Sequence, residues 1–223
     1  MVNAGADDGS STVTRENGAS ERGARLPLVV LTGPPGAGKS AVGRALAERT
    51  GAPYADTDAV IEQRAGKPIP EIFVDDGEAA FRVLEREVVA EGLTSPEGVL
   101  SLGGGAILAE PTQALLEPQI VVFLDVSLRY AGRRSGFDQG RPLMALNPRG
   151  QWLALMEARR PIYERLATVT VNTDDRTIDE VVDAVLESLA AVDARFAEFV
   201  QPPGTTAATV DTPTTASDEG RPL

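Results

Sequence analysis

A glycine-rich segment that ends in Lys39-Ser40 is the strongest chemical signal in the sequence. An apolar run, residues 27–32, is followed by G-x-x-x-x-G-K-S over residues 33–40 and then by a helix-forming segment. Glycines let the backbone N–H groups of such a loop face phosphate oxygens, and the start of the helix adds the positive end of its dipole. Lys39 supplies a positive charge for the β- and γ-phosphates, and the Ser40 hydroxyl is a ligand for Mg²⁺.

We therefore expect a nucleoside triphosphate to bind at this loop. The alternative, a chance glycine-rich turn, does not explain why a strand pattern precedes it and a helix pattern follows it. The expected nucleotide contacts come from Gly36, Ala37, Gly38, Lys39, Ser40 and Ala41.

Two carboxylates follow the second predicted strand. Asp56 and Asp58 are two residues apart at the end of residues 53–56, and the carboxyl ends of strands in an open α/β sheet face the ligand crevice. One carboxylate is suited to hold Mg²⁺ through water, and the other to accept the proton of a substrate hydroxyl. The alternative is that one of them caps the following helix.

Arg82 and Glu85 lie three residues apart within a helical pattern and therefore share a face of the helix. This spacing allows Glu85 to orient the Arg82 guanidinium toward a ligand carboxylate. The alternative is a solvated ion pair on the surface. The neighbouring Phe81 is more typical of a core residue than of a ligand contact.

Three consecutive glycines, Gly103, Gly104 and Gly105, follow the third predicted strand. Their backbone can approach a ligand closely and offer it N–H groups, and the alternative is a flexible turn.

Asp125 ends the fourth predicted strand, a position at which an aspartate can hold Mg²⁺. Because it precedes a helix start at Ser127, the favoured interpretation of Asp125 is a helix cap.

A long irregular connection, residues 135–149, carries Arg141. A loop of this length in a compact domain is typical of a functional segment, and an arginine in it can reach a migrating phosphoryl group while the loop excludes water. We therefore expect a lid here.

The elements that must position these residues alternate between short apolar strands and helices, which is typical of a parallel α/β sheet. Strands are predicted over 27–32, 53–56, 98–102, 120–125 and 168–172. Helices are predicted over 39–50, 58–65, 69–75, 78–93, 111–117, 127–134, 150–165 and 177–198, with Gly51 as a helix stop.

The composition excludes several kinds of chemistry. The 223 residues include no cysteine and no histidine, so disulfides, thiolate nucleophiles and the usual zinc sites are excluded, and a general base must be a carboxylate. The lack of cysteine agrees with a cytoplasmic protein, and no apolar segment is long enough for a membrane span or a signal peptide. The net charge of −12 argues against a nucleic-acid partner.

The two ends of the chain have the composition of disordered tails. Residues 1–25 are rich in Gly, Ala, Ser and Asp, and residues 201–223 in Pro, Thr and Ala. One domain over residues 26–200 is therefore expected, and a monomer is the default expectation.

Taken in order, the motifs resemble those of the shikimate kinase family. The resemblance runs from Leu28 to Leu189 and comprises GxxGxGKS, DTD, FRxxE, GGG, an RPL-containing lid and R-x-P-hydrophobic-Y. It implies a three-layer α/β sandwich with a five-stranded parallel sheet, a P-loop NTPase of the nucleoside-monophosphate-kinase type with a lid. The implied activity is ATP-dependent phosphorylation of the 3-hydroxyl of shikimate, in aromatic amino acid biosynthesis.

The resemblance also assigns roles to residues. Asp56 reaches Mg²⁺ through water, Asp58 holds the substrate hydroxyls and acts as base, and Arg141 lies beside the transferred phosphate. Arg82 and Arg159 clamp the shikimate carboxylate. The wall of the substrate site is Gly103, Gly104 and Gly105, its apolar lining is Ile69, Phe73 and Phe81, and the residues near adenine are Arg134 and Arg176. Pro34-Pro35 and Met144 depart from the family's usual residues.

Four other functions compete with this one. A gluconate kinase is expected to have a histidine near the second strand, and a nucleoside monophosphate kinase needs a base pocket where the carboxylate clamp lies. A non-catalytic ATP-binding module usually lacks one of the catalytic residues, which are all present here. A nucleic-acid-dependent NTPase is disfavoured by the acidic charge and the short chain.

Overall fold

The computed structural model describes residues 28–135 and 147–200. The two predicted tails lie outside these residues. So does most of the predicted lid, including Arg141 and Met144.

Five short strands form one parallel sheet. They are β1 (Leu28–Thr32), β2 (Tyr54–Asp56), β3 (Gly98–Ser101), β4 (Ile120–Asp125) and β5 (Val169–Asn172), in the spatial order β2-β3-β1-β4-β5. All neighbouring pairs are parallel. Every residue of the central β1 is buried, because helices cover both faces of such a sheet. The predicted α/β fold and all five predicted strands are confirmed.

Helices connect the strands. They are α1 (Lys39–Thr50), α2 (Thr57–Ala65), α3 (Ile69–Asp75), α4 (Gly77–Gly92), α5 (Glu110–Leu116), α6 (Leu128–Ser135), α7 (Pro148–Leu166) and α8 (Ile178–Ala190), with short 3₁₀ helices over Ala106–Leu108 and Ala194–Phe199. Gly51 ends α1 in a left-handed conformation, with φ of 67°, as predicted.

The last predicted helix, residues 177–198, is wrong in its length. Helix α8 ends at Ala190, and the chain then forms the 3₁₀ helix Ala194–Phe199. The Asp193 carboxylate accepts a hydrogen bond from the Arg195 N–H at 3.0 Å and so starts a new turn. Phe196, in this turn, is fully buried.

Helix α1 lies unusually close to the sheet at Gly43. A Cβ atom at this position would be 2.6 Å from the Tyr54 ring and 2.8 Å from Ser101 Oγ, so only glycine allows this approach. The close packing brings the start of α1 next to the ends of β2 and β3, where the site residues lie.

The apolar interior has two parts. The larger cluster surrounds the sheet, and a smaller one of Ile61, Ile72, Phe81 and Val88 joins α2, α3 and α4. Among the helices of the described residues, none is both long and apolar enough to cross a membrane.

Candidate active site

The loop between β1 and α1 has the backbone that its glycines predict. Gly33, Gly36 and Gly38 have φ values of 146°, 86° and 86°, which side chains disfavour. Helix α1 begins at Lys39 directly after this loop. The unpaired N–H groups of the first helical turn therefore lie at the loop, as phosphate binding requires.

Lys39 is folded back onto its own loop. Its Nζ donates to the carbonyl oxygens of Gly33 at 2.9 Å and Pro34 at 3.3 Å. Burial lowers the pKa of Lys39 to about 8, and the charges of Asp58 and Asp56 oppose this shift. The ammonium is thus a charge with little solvent around it, which strengthens its attraction to a phosphate.

Asp56 joins the phosphate loop to β2. Its Oδ2 accepts hydrogen bonds from Ser40 Oγ at 2.6 Å and from the Tyr54 hydroxyl at 3.1 Å. Its Oδ1 caps α2 by accepting from the Asp58 N–H at 3.1 Å. The helix-cap interpretation is therefore correct for Asp56, and its second oxygen remains directed at Ser40.

The Ser40–Asp56 pair is the arrangement in the described residues that suits Mg²⁺. A hydroxyl and a carboxylate oxygen are hard ligands, and Mg²⁺ completes its shell with waters and nucleotide phosphates. In the described parts of the chain, no group of three or more acidic residues is arranged to enclose a metal ion. The site thus suits a cation that a nucleotide shares rather than one held by protein ligands alone.

Asp58 faces the glycine segment that follows β3. A Cβ atom on Gly103 would be 2.5 Å from Asp58 Oδ1 and 3.2 Å from Glu85 Oε1. Burial raises the pKa of Asp58 to about 6, with a further contribution from the charge of Asp56, whereas Lys39 opposes the shift. Asp58 is therefore a carboxylate whose basicity suits the acceptance of a proton near neutral pH.

Arg82 and Glu85 form a part-buried pair, in which the carboxylate is enclosed and the guanidinium is partly exposed. Arg82 NH1 lies 2.6 Å from Glu85 Oε2, and the Glu85 residue is only 4% exposed. Arg82 also contacts the more exposed Glu78 at 3.2 Å. A Cβ atom on Gly105 would lie 2.7 Å from Arg82 NH1, so the guanidinium lies against the glycine segment.

Arg159 reaches the same glycine segment from α7. Its NH1 donates to the Gly104 carbonyl at 2.9 Å, and the Tyr163 hydroxyl donates to the same oxygen at 2.6 Å. The Tyr163 ring stacks on Phe123 of β4 with centroids 5.0 Å apart. Two arginines from different helices therefore lie next to Gly104 and Gly105.

The three predicted apolar contacts have different environments. Phe73 and Phe81 are adjacent, with ring centroids 4.6 Å apart, but Phe73 is 38% exposed and Phe81 is 4% exposed. Ile69 packs against the smaller apolar cluster. Phe81 is mainly a core residue, and Phe73 presents the more accessible ring.

Arg134 and Arg176, the residues assigned to the adenine side, lie near the end of β5. Arg134 donates to Thr173 Oγ1 at 3.0 Å and to the Thr173 carbonyl at 2.7 Å. Arg176 is exposed in the segment between β5 and α8. Arg141 lies outside the described residues.

Asp125 is bound in an ion pair. Arg160 of α7 donates to both of its oxygens, at 2.9 Å and 2.7 Å, and the Val126 N–H donates to Oδ1. The carboxylate does not cap α6: the Ser127 N–H donates to Asp174 instead. The helix-cap interpretation of Asp125 is therefore wrong, because Arg160 supplies a stronger partner for both carboxylate oxygens.

Four supporting residues were missed from the sequence. Thr57 Oγ1 accepts a hydrogen bond from the Gly103 N–H at 2.9 Å, and Ser101 Oγ donates one to the Lys39 carbonyl at 3.2 Å. Trp152 Nε1 donates to the Pro35 carbonyl at 3.2 Å, and the Tyr163 hydroxyl donates to the Gly104 carbonyl. Two of them belong to motifs of the resemblance: Thr57 lies in DTD and Tyr163 in R-x-P-hydrophobic-Y. Ser101 and Trp152 bond to backbone carbonyls that are distant in sequence, which no spacing reveals.

Comparison with known proteins identifies the same family that the sequence motifs resemble. The shikimate kinase family model matches residues 35–190. A shikimate kinase from Streptomyces coelicolor is 54% identical over 168 residues, which are 75% of this chain and 98% of that protein. A shikimate kinase from Thermobifida fusca is 55% identical over 165 residues, 74% of this chain and 96% of that protein.

Solved structures agree with the sequence relatives. The shikimate kinase from Acinetobacter baumannii in complex with shikimate superimposes with a TM-score of 0.71 at 35% identity, covering 75% of this chain and 95% of that one. This chain is a kinase that belongs to the shikimate kinase family.

Proposed function

We propose that this chain transfers the γ-phosphoryl group of ATP to the 3-hydroxyl of shikimate. The observation that carries the proposal is the convergence of Asp58, Arg82 and Arg159 on the glycine segment 103–105, beside the phosphate loop. Shikimate is a carboxylated polyol, so its site needs cations for the carboxylate and an acceptor for a hydroxyl proton. Two arginines and one carboxylate meet both needs.

The acceptor is held by its carboxylate and its hydroxyls. Arg82 and Arg159 bind the carboxylate, and Glu85 keeps the Arg82 guanidinium in position through its 2.6 Å contact. The glycines allow the substrate ring to approach the backbone. Ile69, Phe73 and Phe81 form the apolar side of the site, with Phe73 nearest to solvent.

The transfer itself is an in-line displacement. The 3-hydroxyl oxygen forms a bond to the γ-phosphorus as the bond from that phosphorus to the β–γ bridging oxygen breaks, and ADP leaves. Asp58 orients the hydroxyl and accepts its proton. Lys39 leaves the Gly33 and Pro34 carbonyls to stabilise charge on the γ-phosphoryl group, and Arg141 adds a second positive charge from the predicted lid.

Mg²⁺ is part of the proposal, held by Ser40 and, through water, by Asp56. When bound, it neutralises charge on the nucleotide phosphates. Residues 36–41 hold the phosphates through their backbone, and Arg134 and Arg176 flank the adenine.

We also propose a monomeric cytoplasmic enzyme whose catalytic domain spans residues 26–200. The absence of cysteine supports the cytoplasmic assignment, and the net charge of −12 argues against nucleic acid as a partner. No membrane partner is proposed.

A coupled assay of ADP release tests the function. Mg-ATP is offered with shikimate, gluconate, AMP or CMP, each in a separate reaction. Turnover on shikimate alone is the expected result. Turnover on another acceptor would overturn the substrate assignment, and ATP binding without turnover on any of the four would indicate a non-catalytic module.

A further inference from the structure

The indole of Trp152 connects α7 to the phosphate loop. Its Nε1–H donates to the Pro35 carbonyl at 3.2 Å, across 117 positions of sequence, and the residue is 4% exposed. Pro35 itself is exposed, so the bond is partly shielded from water by the buried indole, and its loss would leave the Pro35 carbonyl without a partner from the protein. Trp152 is also the chain's only tryptophan.

The phosphate loop needs contacts with other parts of the chain to hold a single conformation. Its three left-handed glycines give it many accessible backbone conformations, of which nucleotide binding uses one. In the described parts of the chain, side chains bond to the carbonyls of residues 33–35 in two ways, from Lys39 to Gly33 and Pro34, and from Trp152 to Pro35.

We expect only one of these two connections to persist when a nucleotide binds. Lys39 must release both carbonyls for its ammonium to reach the phosphates. The Pro34 carbonyl keeps the Ala37 N–H at 3.2 Å, a bond within the loop. The Trp152 bond uses neither a loop N–H group nor Lys39, so phosphate binding does not compete with it.

Helix α7 is held next to the phosphate loop by two further hydrogen bonds. Further along the helix, Arg159 and Tyr163 both donate to the Gly104 carbonyl. A Cβ atom on Gly104 would be 3.4 Å from the Gly33 carbonyl oxygen and 3.6 Å from Pro35 Cδ. The phosphate loop, Gly104 and α7 therefore meet at one junction.

We propose that Trp152 is a positioning residue for the nucleotide, and that its N–H holds the Pro35 carbonyl so that the loop keeps its phosphate-binding shape after Lys39 turns away. This inference rests on the proposed nucleotide site. It assigns to Trp152 an effect on ATP affinity that is separate from its contribution to the apolar core.

The single tryptophan makes a test on one atom possible. Expression in a tryptophan auxotroph supplied with β-(benzothien-3-yl)alanine replaces the indole N–H by sulfur at position 152 and nowhere else, with nearly the same shape. Expression with 5-fluorotryptophan is the matched control, because it also changes only residue 152 but keeps the N–H. Trp152→Phe provides a genetic counterpart.

The measurements are the dissociation constant of ATP by calorimetry, the KM values for ATP and shikimate, and the midpoint of thermal unfolding. The sulfur analogue is expected to bind ATP about three- to tenfold more weakly, the range set by the net contribution of one part-buried hydrogen bond. Its KM for shikimate should stay within about twofold, and the fluorinated control should match the parent protein.

Two outcomes would overturn the proposal. One is an unchanged ATP dissociation constant in the sulfur analogue. The other is an equal loss of affinity for ATP and shikimate together with a lower unfolding midpoint, which indicates general support of the core. A parent protein that binds ATP but does not phosphorylate shikimate contradicts the proposed function and leaves this test intact, because calorimetry with ATP needs no acceptor.

Discussion

Burial separates the Arg82–Glu85 pair from an ordinary ion pair on a helix surface. Glu85 is almost completely enclosed, whereas the second partner, Glu78, is exposed. An exposed pair at this spacing would contribute little. A buried carboxylate instead fixes the guanidinium in one place, and that place is next to Gly105. The geometry thus favours recognition of a ligand over stabilisation of the helix.

Replacement of Arg82 by alanine should therefore weaken shikimate binding far more than ATP binding. Loss of a charged hydrogen-bonding partner costs about 1.5–3 kcal/mol, or roughly 10- to 150-fold in the KM for shikimate. Steady-state kinetics with each substrate varied in turn measures both effects. Arg86→Ala is the control, since it removes the same charge from an exposed position of α4. Equal losses for both substrates would contradict the assigned clamp.

Asp56 and Asp125 both end strands, but Asp56 contacts Ser40, as the proposed metal site requires, whereas Asp125 is paired with Arg160. Asp56→Asn should raise the Mg²⁺ concentration for half-maximal activity by about tenfold or more, because a neutral amide is a weaker ligand. Asp125→Asn should leave this concentration unchanged and lower stability slightly, by about 1 kcal/mol or less, since its partly exposed pair with Arg160 is only loosened. Titration of Mg²⁺ at fixed ATP compares the two variants. A larger shift for Asp125→Asn would reverse the assignment.

The pH dependence of kcat/KM follows from two groups. Asp58 must be ionised to accept a proton, and its pKa is raised to about 6, so activity should fall as the pH decreases through 6. Lys39 must be protonated, and its pKa is lowered to about 8, so activity should fall as the pH increases through 8. The chain has no histidine, the residue whose titration would otherwise be expected to change the activity in this pH range.

A bell-shaped profile for kcat/KM, recorded with saturating Mg²⁺, is thus the expected result. Calorimetric ATP binding should show the alkaline limb alone, because Asp58 acts on the acceptor. A flat profile between pH 5 and 9 would show that neither group limits the reaction in the free enzyme.

At the scale of elements, the glycine segment after β3 is where three parts of the chain meet. Asp58 comes from the start of α2, Arg82 from α4 and Arg159 from α7, and each lies against a different glycine of residues 103–105. Side chains on this segment would occupy the same space as the polar groups. The segment is therefore a packing surface for functional side chains, not a flexible turn.

Gly103→Ala should reduce kcat/KM for shikimate by roughly 100-fold, because the new Cβ would displace the Asp58 carboxylate and misplacement by about 1 Å has this effect. The same substitution at Gly66, where a Cβ would meet nothing within 4 Å, is the control. Gly66→Ala should cost about 1 kcal/mol of stability through its left-handed backbone and leave kinetics unchanged. Kinetics and thermal unfolding of both variants distinguish a local effect from a folding defect.

At the scale of the whole molecule, the match to the family covers only part of the chain. The relative from Streptomyces coelicolor aligns over 98% of its own length with 75% of this chain. The remaining residues are thus additional to what that relative contains. The protein as a whole has a net charge of −12. Positive potential at the site must therefore come from the few arginines that lie there.

A shortened protein of residues 26–200 should keep kcat and both KM values within about twofold of the full chain, because the terminal segments have the composition of non-core sequence. The comparison requires matched protein preparations and the coupled assay of ADP release. A loss of more than about tenfold with an unchanged unfolding midpoint would assign the ends of the chain a role in catalysis.

Sequence by itself determined the sheet, the phosphate loop and the residue types of the site. Strands buried on both faces are continuous apolar runs, and the loop needs glycines at set intervals, so both leave local signals. The sequence also predicted roles for Asp58 and Arg82 from their spacing, and for Arg159 through the motif of the family that it resembles.

Only the tertiary structure decided which partners these residues have. It showed that Asp56 both caps α2 and contacts Ser40, that Asp125 is paired with Arg160, and that Trp152 holds Pro35. It also showed that α8 ends at Ala190, although the sequence predicted a helix as far as residue 198. Such contacts join positions far apart in the chain, and their energies depend on burial and distance, which local sequence does not encode.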